Sequence, residues 1–165
     1  MKIMVVGSNG ALGSELLLQL KKQNNFEVIP ITRKDMDLCG SFQDIEKFIK
    51  TKSPHLIINC AAFLGIENCY KNTNDALLIN TFFPNKLYCI SKQLGIKVIQ
   101  ISTECVFSCD NENISNNENT NTNPQTTYGV TKNLGECVPN KNFIVIRLPL
   151  LFGPTNKNQI VKKLI

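Results

Sequence analysis

With 165 residues, of which 42% are apolar and 19% charged, the chain has the size and composition of one domain around one core. No apolar run is long enough to span a bilayer, and the opening Met1–Gly7 enters a glycine loop too early for a secretory signal, so a cytoplasmic protein is expected. The net charge of +5 is spread along the chain with no basic run interleaved with aromatics, which argues against nucleic acid and suits anionic ligands.

Lys2–Val6 is a continuous apolar run of the kind a buried parallel strand requires. Leu12, Leu16, Leu17 and Leu20 follow at helical spacing and predict a helix over Gly10–Asn24. Glu27–Ile31 reads as a second strand. Ser41 then caps a helix running to about Lys50, and His55–Asn59 forms a third strand. Asp75–Leu94 reads as one long helix kinked at Pro84 and ended by Gly95, before a fourth strand over Lys97–Ile101. The polar stretch Ser108–Thr127, dense in Asn and Thr, is longer than an ordinary connection. Tyr128–Cys137 is expected to be helical, Asn142–Leu148 a strand, and Lys157–Ile165 the start of a further helix. This alternation predicts an α/β protein: a Rossmann-type doubly wound parallel sheet with right-handed crossovers, forming one domain over 1–165. Too few residues follow the last strand to build a separate C-terminal substrate lobe, so that lobe is expected to be missing.

Seven cysteines, an odd number, include Cys60, Cys89 and Cys105 in or beside apolar segments, a pattern of reduced and mostly buried thiols. Cys105 and Cys109 have no second Cys or His pair beside them, and the only histidine, His55, begins another strand. No metal site is therefore expected.

Five constellations carry chemistry. Gly7-Ser8-Asn9-Gly10-Ala11-Leu12-Gly13 lies between a strand and a helix, where glycines permit a tight turn and backbone amides can meet a diphosphate at a helix N-terminus. Its spacing is GxxGxxG rather than GxGxxG. At the end of the second strand stand Thr32 and Arg33, where an acid would bind the ribose of NAD; an arginine accommodates the phosphate of NADP, so NADP(H) is favoured over NAD(H). Asp37 and Leu38 fall where such folds meet the adenine edge. Asn59-Cys60-Ala61-Ala62 puts small residues at the carboxyl end of the third strand, next to the ligand crevice. Ser102-Thr103-Glu104-Cys105-Val106-Phe107 ends the fourth strand and offers a hydroxyl to a substrate carbonyl. Tyr128 and Lys132 share one helical face at i and i+4, where the ammonium is expected to draw the phenol down from its ordinary pKa of about 10.

In order and spacing, Gly7/Gly10/Gly13, Asn59-Cys60-Ala61-Ala62, Asn80, Ser102-Thr103 and Tyr128/Lys132 resemble the extended short-chain dehydrogenase/reductases over essentially the whole chain. Ile101–Ser108 is similar to the STDxVFxG segment of the dTDP-4-dehydrorhamnose reductases, Tyr128–Glu136 to their YGxTKxxGE segment, and Arg147–Pro154 to the strand leading to their substrate lobe. Glu104 and Cys105 depart from the family's Asp and Tyr at positions that the resemblance assigns to the sugar. The resemblance implies reduction of a nucleotide-linked 4-keto-6-deoxy sugar. Thr103 would orient the carbonyl, Tyr128 would protonate the alkoxide, and Lys132 would hold the nicotinamide ribose; Asn80 and Cys60–Ala62 would join the cofactor site. A homodimer is the one protein assembly this reading admits; separately, a chain without the lobe is expected to expose apolar surface near Leu148–Phe152 and to self-associate. Two alternatives stay open: a dehydratase or epimerase of the same fold, and a non-catalytic NADP-binding subunit similar to the regulatory subunit of methionine adenosyltransferase.

Overall fold

In the computed structural model, which describes residues 1–108 and 115–151, the apolar runs become strands covered on the sheet's interior. The strands are β1 (Lys2–Val6), β2 (Glu27–Ile31), β3 (Leu56–Asn59), β4 (Lys97–Thr103) and β5 (Phe143–Leu148). All pair in parallel, in the order β2-β1-β3-β4-β5. The chain thus forms the expected Rossmann-like sheet with flanking helices. Pro30, which cannot donate to a ladder, sits opposite Val5 on the edge strand β2, where the missing amide costs nothing.

The order of strands reverses at β1 and β3, and at such a point the loops beyond the carboxyl ends part to leave a crevice. One face of the sheet carries Met4, Val6, Ile57, Val98 and Phe143 against Ile45 and Ile49 of α2 (Phe42–Lys52) and Phe83, Leu87 and Ile90 of α5 (Phe83–Leu94). The opposite face packs Ile3, Val5 and Ile58 on Leu16, Leu17 and Leu20 of α1 (Ala11–Lys21). That cover stops short of β5, whose Ile144 and Ile146 are exposed, as are Leu150 and Leu151 beyond it.

Ser41 caps α2 as its side chain predicted, accepting from the Asp44 amide at 3.1 Å. The long helix expected over Asp75–Leu94 is broken differently. Short helices α3 (Ile66–Lys71) and α4 (Thr73–Leu77) precede a π-helical segment, Leu78–Phe82, and α5 begins after it. Pro84 lies in the first turn of α5, so the irregularity falls one turn earlier than the proline itself. The reason is that Pro84 has no amide to give the Asn80 carbonyl four residues back. Gly135 occupies the space against that carbonyl, where a Cβ would collide with the oxygen. The helix carrying Tyr128 and Lys132, α6, spans Thr127–Leu134, ending before Cys137.

Six described cysteines are free, but only Cys69 is buried; Cys89 is exposed, because Leu87 and Ile90 take the inward face of α5. This corrects the expectation of mostly buried thiols. No helix among the described residues is long and apolar enough to cross a membrane, and no group of three or more His, Cys, Asp or Glu among them is placed to hold a metal. Cys109 and the helix expected over Lys157–Ile165 lie outside the described residues.

Candidate functional site

The glycine turn follows β1 at the point where the strand order reverses. Gly7 adopts φ +76°, and its amide and that of Ser8 donate to the Ile31 carbonyl at 3.0 and 3.1 Å, which ties the turn to the end of β2. The Ser8 hydroxyl donates to the same carbonyl at 3.0 Å. A Cβ on Gly7 would come within 2.7 Å of the Ala61 amide, and one on Gly13 would strike the Gly7 carbonyl oxygen. Turn, helix and the loop after β3 are therefore in backbone contact. The first bond into α1 is Ser14 N–H to the Gly10 carbonyl at 2.9 Å, so the amides of Ala11, Leu12 and Gly13 open outward from the helix N-terminus. No acid stands in that first turn.

After β2 the chain makes a compact turn. Asp35 accepts from the Thr32 amide at 2.8 Å and its hydroxyl at 2.6 Å, bonds that hold the exposed carboxyl below its usual range. Arg33 projects from this turn, exposed, with no hydrogen bond or ion pair among the described residues. Asp37 is exposed and accepts from the Cys39 amide at 2.9 Å, whereas the side chain of Leu38 is packed into the core.

Beyond β3, the buried Asn59 donates to Gln100 of β4 at 2.7 Å and accepts from the Ala61 amide at 3.2 Å. Two adjacent strands thereby fix the turn Cys60–Ala62. Asn80, in the π-helical segment, bonds both backbone groups of Phe63, accepting from its amide at 2.8 Å and donating to its carbonyl at 3.0 Å, and donates to the Thr131 hydroxyl at 3.1 Å. The segment after β3 and the helix α6 are held together through this one side chain.

At the end of β4, three consecutive residues each meet one residue of Tyr128–Glu136, the stretch formed by α6 and the turn that follows it. Thr103 lies beside Tyr128, close enough to bear on the acidity of its phenol. The Lys132 ammonium donates to the Ile101 carbonyl at 2.7 Å. The Ser102 hydroxyl donates to Glu136 at 2.7 Å. The close approach of helix to strand depends on Gly129, whose missing Cβ leaves room for the Cys105 carbonyl. Thr103 is buried and also accepts from the Cys105 amide at 3.2 Å, starting a 3-10 turn over Glu104–Val106. Glu104 itself points outward and accepts from the Leu150 amide at 3.2 Å.

Burial dominates the electrostatics. The Tyr128 phenol is pushed up to about 12, chiefly by burial, with the neighbouring Thr103 hydroxyl opposing. Lys132 does not draw it down, contrary to the expectation from their i, i+4 spacing, because the ammonium is directed to the Ile101 carbonyl. Lys132, with only 4% of its surface exposed, is pushed down to about 8 by burial, and Glu136 opposes this. Burial likewise raises the Cys60 thiol to about 11, against the pull of Lys132.

The structure gathers the glycine turn, Cys60–Ala62, Thr103, Tyr128 and Lys132 at the carboxyl end of the sheet. Sequence reasoning named Ser102 and Glu136 only as members of longer motifs and gave neither a role of its own in the site. The signal was present: Tyr128, Lys132 and Glu136 recur every four residues, the first two within α6 and Glu136 just past its end.

A family model described as the RmlD substrate binding domain matches residues 1–165. The chain is 31% identical over 160 residues to the spore coat polysaccharide biosynthesis protein SpsK of Bacillus subtilis, with 95% of this chain and 56% of that protein covered. Its fold superposes on a dTDP-4-dehydrorhamnose reductase from Clostridium acetobutylicum with a TM-score of 0.90 and 35% identity, covering 99% of this chain and 57% of the other. A dTDP-4-dehydrorhamnose reductase from Bacillus anthracis, solved in complex with NADP, gives a TM-score of 0.89 and 27% identity, covering 98% and 57%. The chain thus spans a little over half the length of these relatives. On the match across its whole length and the shared fold, this chain belongs to the RmlD substrate binding domain family.

Proposed function

We propose that residues 1–165 form the NADP(H)-binding domain of a reductase acting on the keto group of a nucleotide-linked 4-keto-6-deoxy sugar. The observation that carries this is the convergence of Thr103, Tyr128 and Lys132 at the carboxyl end of β4, at the same end of the sheet as the glycine turn. The relatives named as dTDP-4-dehydrorhamnose reductases, one of them with NADP bound, support the substrate class and the cofactor.

The residues present fit a dinucleotide phosphate. Gly7 and Gly13 leave no space for side chains between turn and helix, the open amides of α1 face outward, and no acid repels an anion there. Arg33, unpaired on its turn, suits the additional phosphate that distinguishes NADP from NAD. When bound, the dinucleotide supplies the hydride. The chain's own residues do the rest. Thr103 donates a hydrogen bond to the substrate carbonyl oxygen and orients it. Tyr128, kept protonated at neutral pH by its burial, gives its phenolic proton to the alkoxide that forms. Lys132, held from behind by the Ile101 carbonyl, presents its remaining N–H groups to ribose hydroxyls. Glu104 and Cys105 line the sugar side.

Calorimetric titration with NADPH and NADH, followed by assay of NADPH oxidation with a dTDP-4-keto-6-deoxy sugar, tests the proposal. NADPH binding with sugar-dependent oxidation is expected of a chain carrying the substrate lobe. Binding without any turnover of the keto sugar by such a chain would refute the reductase assignment.

A further inference from the structure

Glu136 takes no part in the chemistry above, yet its carboxylate is buried, with the residue only 7% exposed. The Ser102 hydroxyl and Arg147 Nε donate to its Oε1 at 2.7 and 3.0 Å, and Arg147 Nη2 donates to its Oε2 at 2.7 Å. The guanidinium in turn lies over the Phe107 ring, 4.9 Å from its centre. Ser102 and Arg147 are register partners across β4 and β5, so one carboxylate bridges both strands to the end of α6. Ser102 stands between Ile101, which takes the Lys132 ammonium, and Thr103, which meets Tyr128. A buried ion pair seldom stabilises a fold more than well-packed apolar side chains of similar volume. Stability alone therefore gives little reason for a carboxylate here.

Building on the reductase reading, we propose that Glu136 is a positioning residue for Lys132. Fixed by Ser102 and Arg147, its carboxylate clamps the end of α6 to β4 and supplies the negative charge against which the buried ammonium stays at the Ile101 carbonyl. Consistent with this, burial pushes Lys132 down to about 8, and Glu136 is the foremost influence in the other direction. Among the described residues, Glu136 and Cys60 are the titratable groups that act on Lys132. β4 offers the neutral Ile101 carbonyl and Ser102 hydroxyl. The turn after β3 offers Cys60, whose thiol, raised to about 11, is neutral at pH 7. α6 itself offers the neutral Tyr128 phenol, and β5 offers the Arg147 cation, already spent on Glu136. Among these residues Glu136 carries the sole negative charge at neutral pH.

The test is the titration of Lys132 by NMR in protein carrying 13C-lysine, with the resonance assigned by its loss in Lys132→Arg. A wild-type midpoint near 8 is expected; an ordinary lysine midpoint would overturn the proposal. Glu136→Gln, which keeps the size but removes the charge, is expected to lower the midpoint by about 0.5 to 1 on the pH scale. Arg147→Gln, which frees the carboxylate from its cation, should raise it. A merely structural Glu136 would weaken folding in Glu136→Gln and leave the Lys132 midpoint in place, and that result sinks the proposal. Should Glu136→Gln not fold, an unchanged or lowered midpoint in Arg147→Gln does the same. NADPH calorimetry on the same samples separates the two readings. Midpoints that move as expected in a protein that binds no NADPH would overturn the reductase reading and leave the Glu136–Lys132 coupling standing. NADPH binding with unmoved midpoints would overturn the coupling alone.

Discussion

The ammonium of Lys132 donates to the carbonyl of Ile101 at 2.7 Å, so the lysine is anchored to the strand and leaves the Tyr128 phenol to Thr103. The tyrosine therefore works as a proton donor whose acidity is set by burial. Tyr128→Phe should lower turnover of the keto sugar by about a hundredfold or more while NADPH affinity changes little. The difference between wild-type and Tyr128→Phe absorbance titrations should show a phenolate forming only toward pH 12. A phenolate appearing below its ordinary range would rule out a phenol whose acidity is set by burial.

Burial of Lys132 makes stability depend on pH with a definite sign. The folded lysine titrates near 8 against an ordinary value of 10.5. Between these values the unfolded chain holds more protons, so this group's contribution to stability rises with pH there and is lost as pH falls through about 8. Lys132→Met should then be more stable than wild type at pH 7, by about 1–3 kcal/mol after the lost hydrogen bond is counted. Its advantage should shrink toward pH 10, while NADPH binding weakens at every pH. Urea unfolding of both proteins from pH 7 to 10 measures this, and parallel curves would contradict it.

Two glycines with positive φ should respond differently to alanine. At Gly95, φ +67°, an added Cβ meets nothing within 4 Å, so Gly95→Ala should cost only the left-handed backbone penalty of about 1 kcal/mol. At Gly7, φ +76°, the Cβ would also press on the Ala61 backbone at 2.7 and 2.9 Å. Gly7→Ala should cost about 3 kcal/mol or more and abolish NADPH binding. Equal losses in thermal unfolding would mean that the turn and the loop after β3 can part freely.

Arg33 stands on a turn held by Thr32 and Asp35, and its own side chain contributes nothing to that turn. Arg33→Ala should reduce NADPH affinity by roughly ten- to a hundredfold, the weight of a charge-assisted phosphate contact, and leave NADH affinity and folding almost unchanged. Calorimetry with both cofactors decides; equal effects on the two would assign Arg33 to general charge attraction.

Much of this was legible in the sequence because it depends on local rules. The five strands lie where continuous apolar runs place them, Ser41 caps its helix, and the YxxxK spacing puts Tyr128 and Lys132 on one face. The misreadings share a different cause. α3 and α4 escaped notice because Ile66–Leu77 is short, rich in Asn and without a clear apolar stripe. The π-helical segment depends on Pro84, which has no amide for an ordinary helical bond, and on the room left by Gly135, remote in sequence. The rise of the Tyr128 phenol comes from packing by segments far apart in sequence, so spacing within its own helix suggested the wrong direction. Glu136 was given no role of its own because its partners, Ser102 and Arg147, meet it only once β4 and β5 are side by side.

Asn80, Pro84 and Gly135 meet in one place, and that meeting bears on how the chain can change. Pro84 has no amide to give the Asn80 carbonyl as an ordinary helix would, and Gly135 fits against that oxygen, where a Cβ would collide. A lineage that replaced Gly135 by alanine would drive α6 from the π-helical segment. One that replaced Pro84 would restore a donor and draw the segment toward an ordinary helix, turning the Asn80 side chain away from Phe63 and Thr131. Change at these three positions is therefore expected to be concerted, with the spacing of Tyr128 and Lys132 from the cofactor turn as the trait under selection.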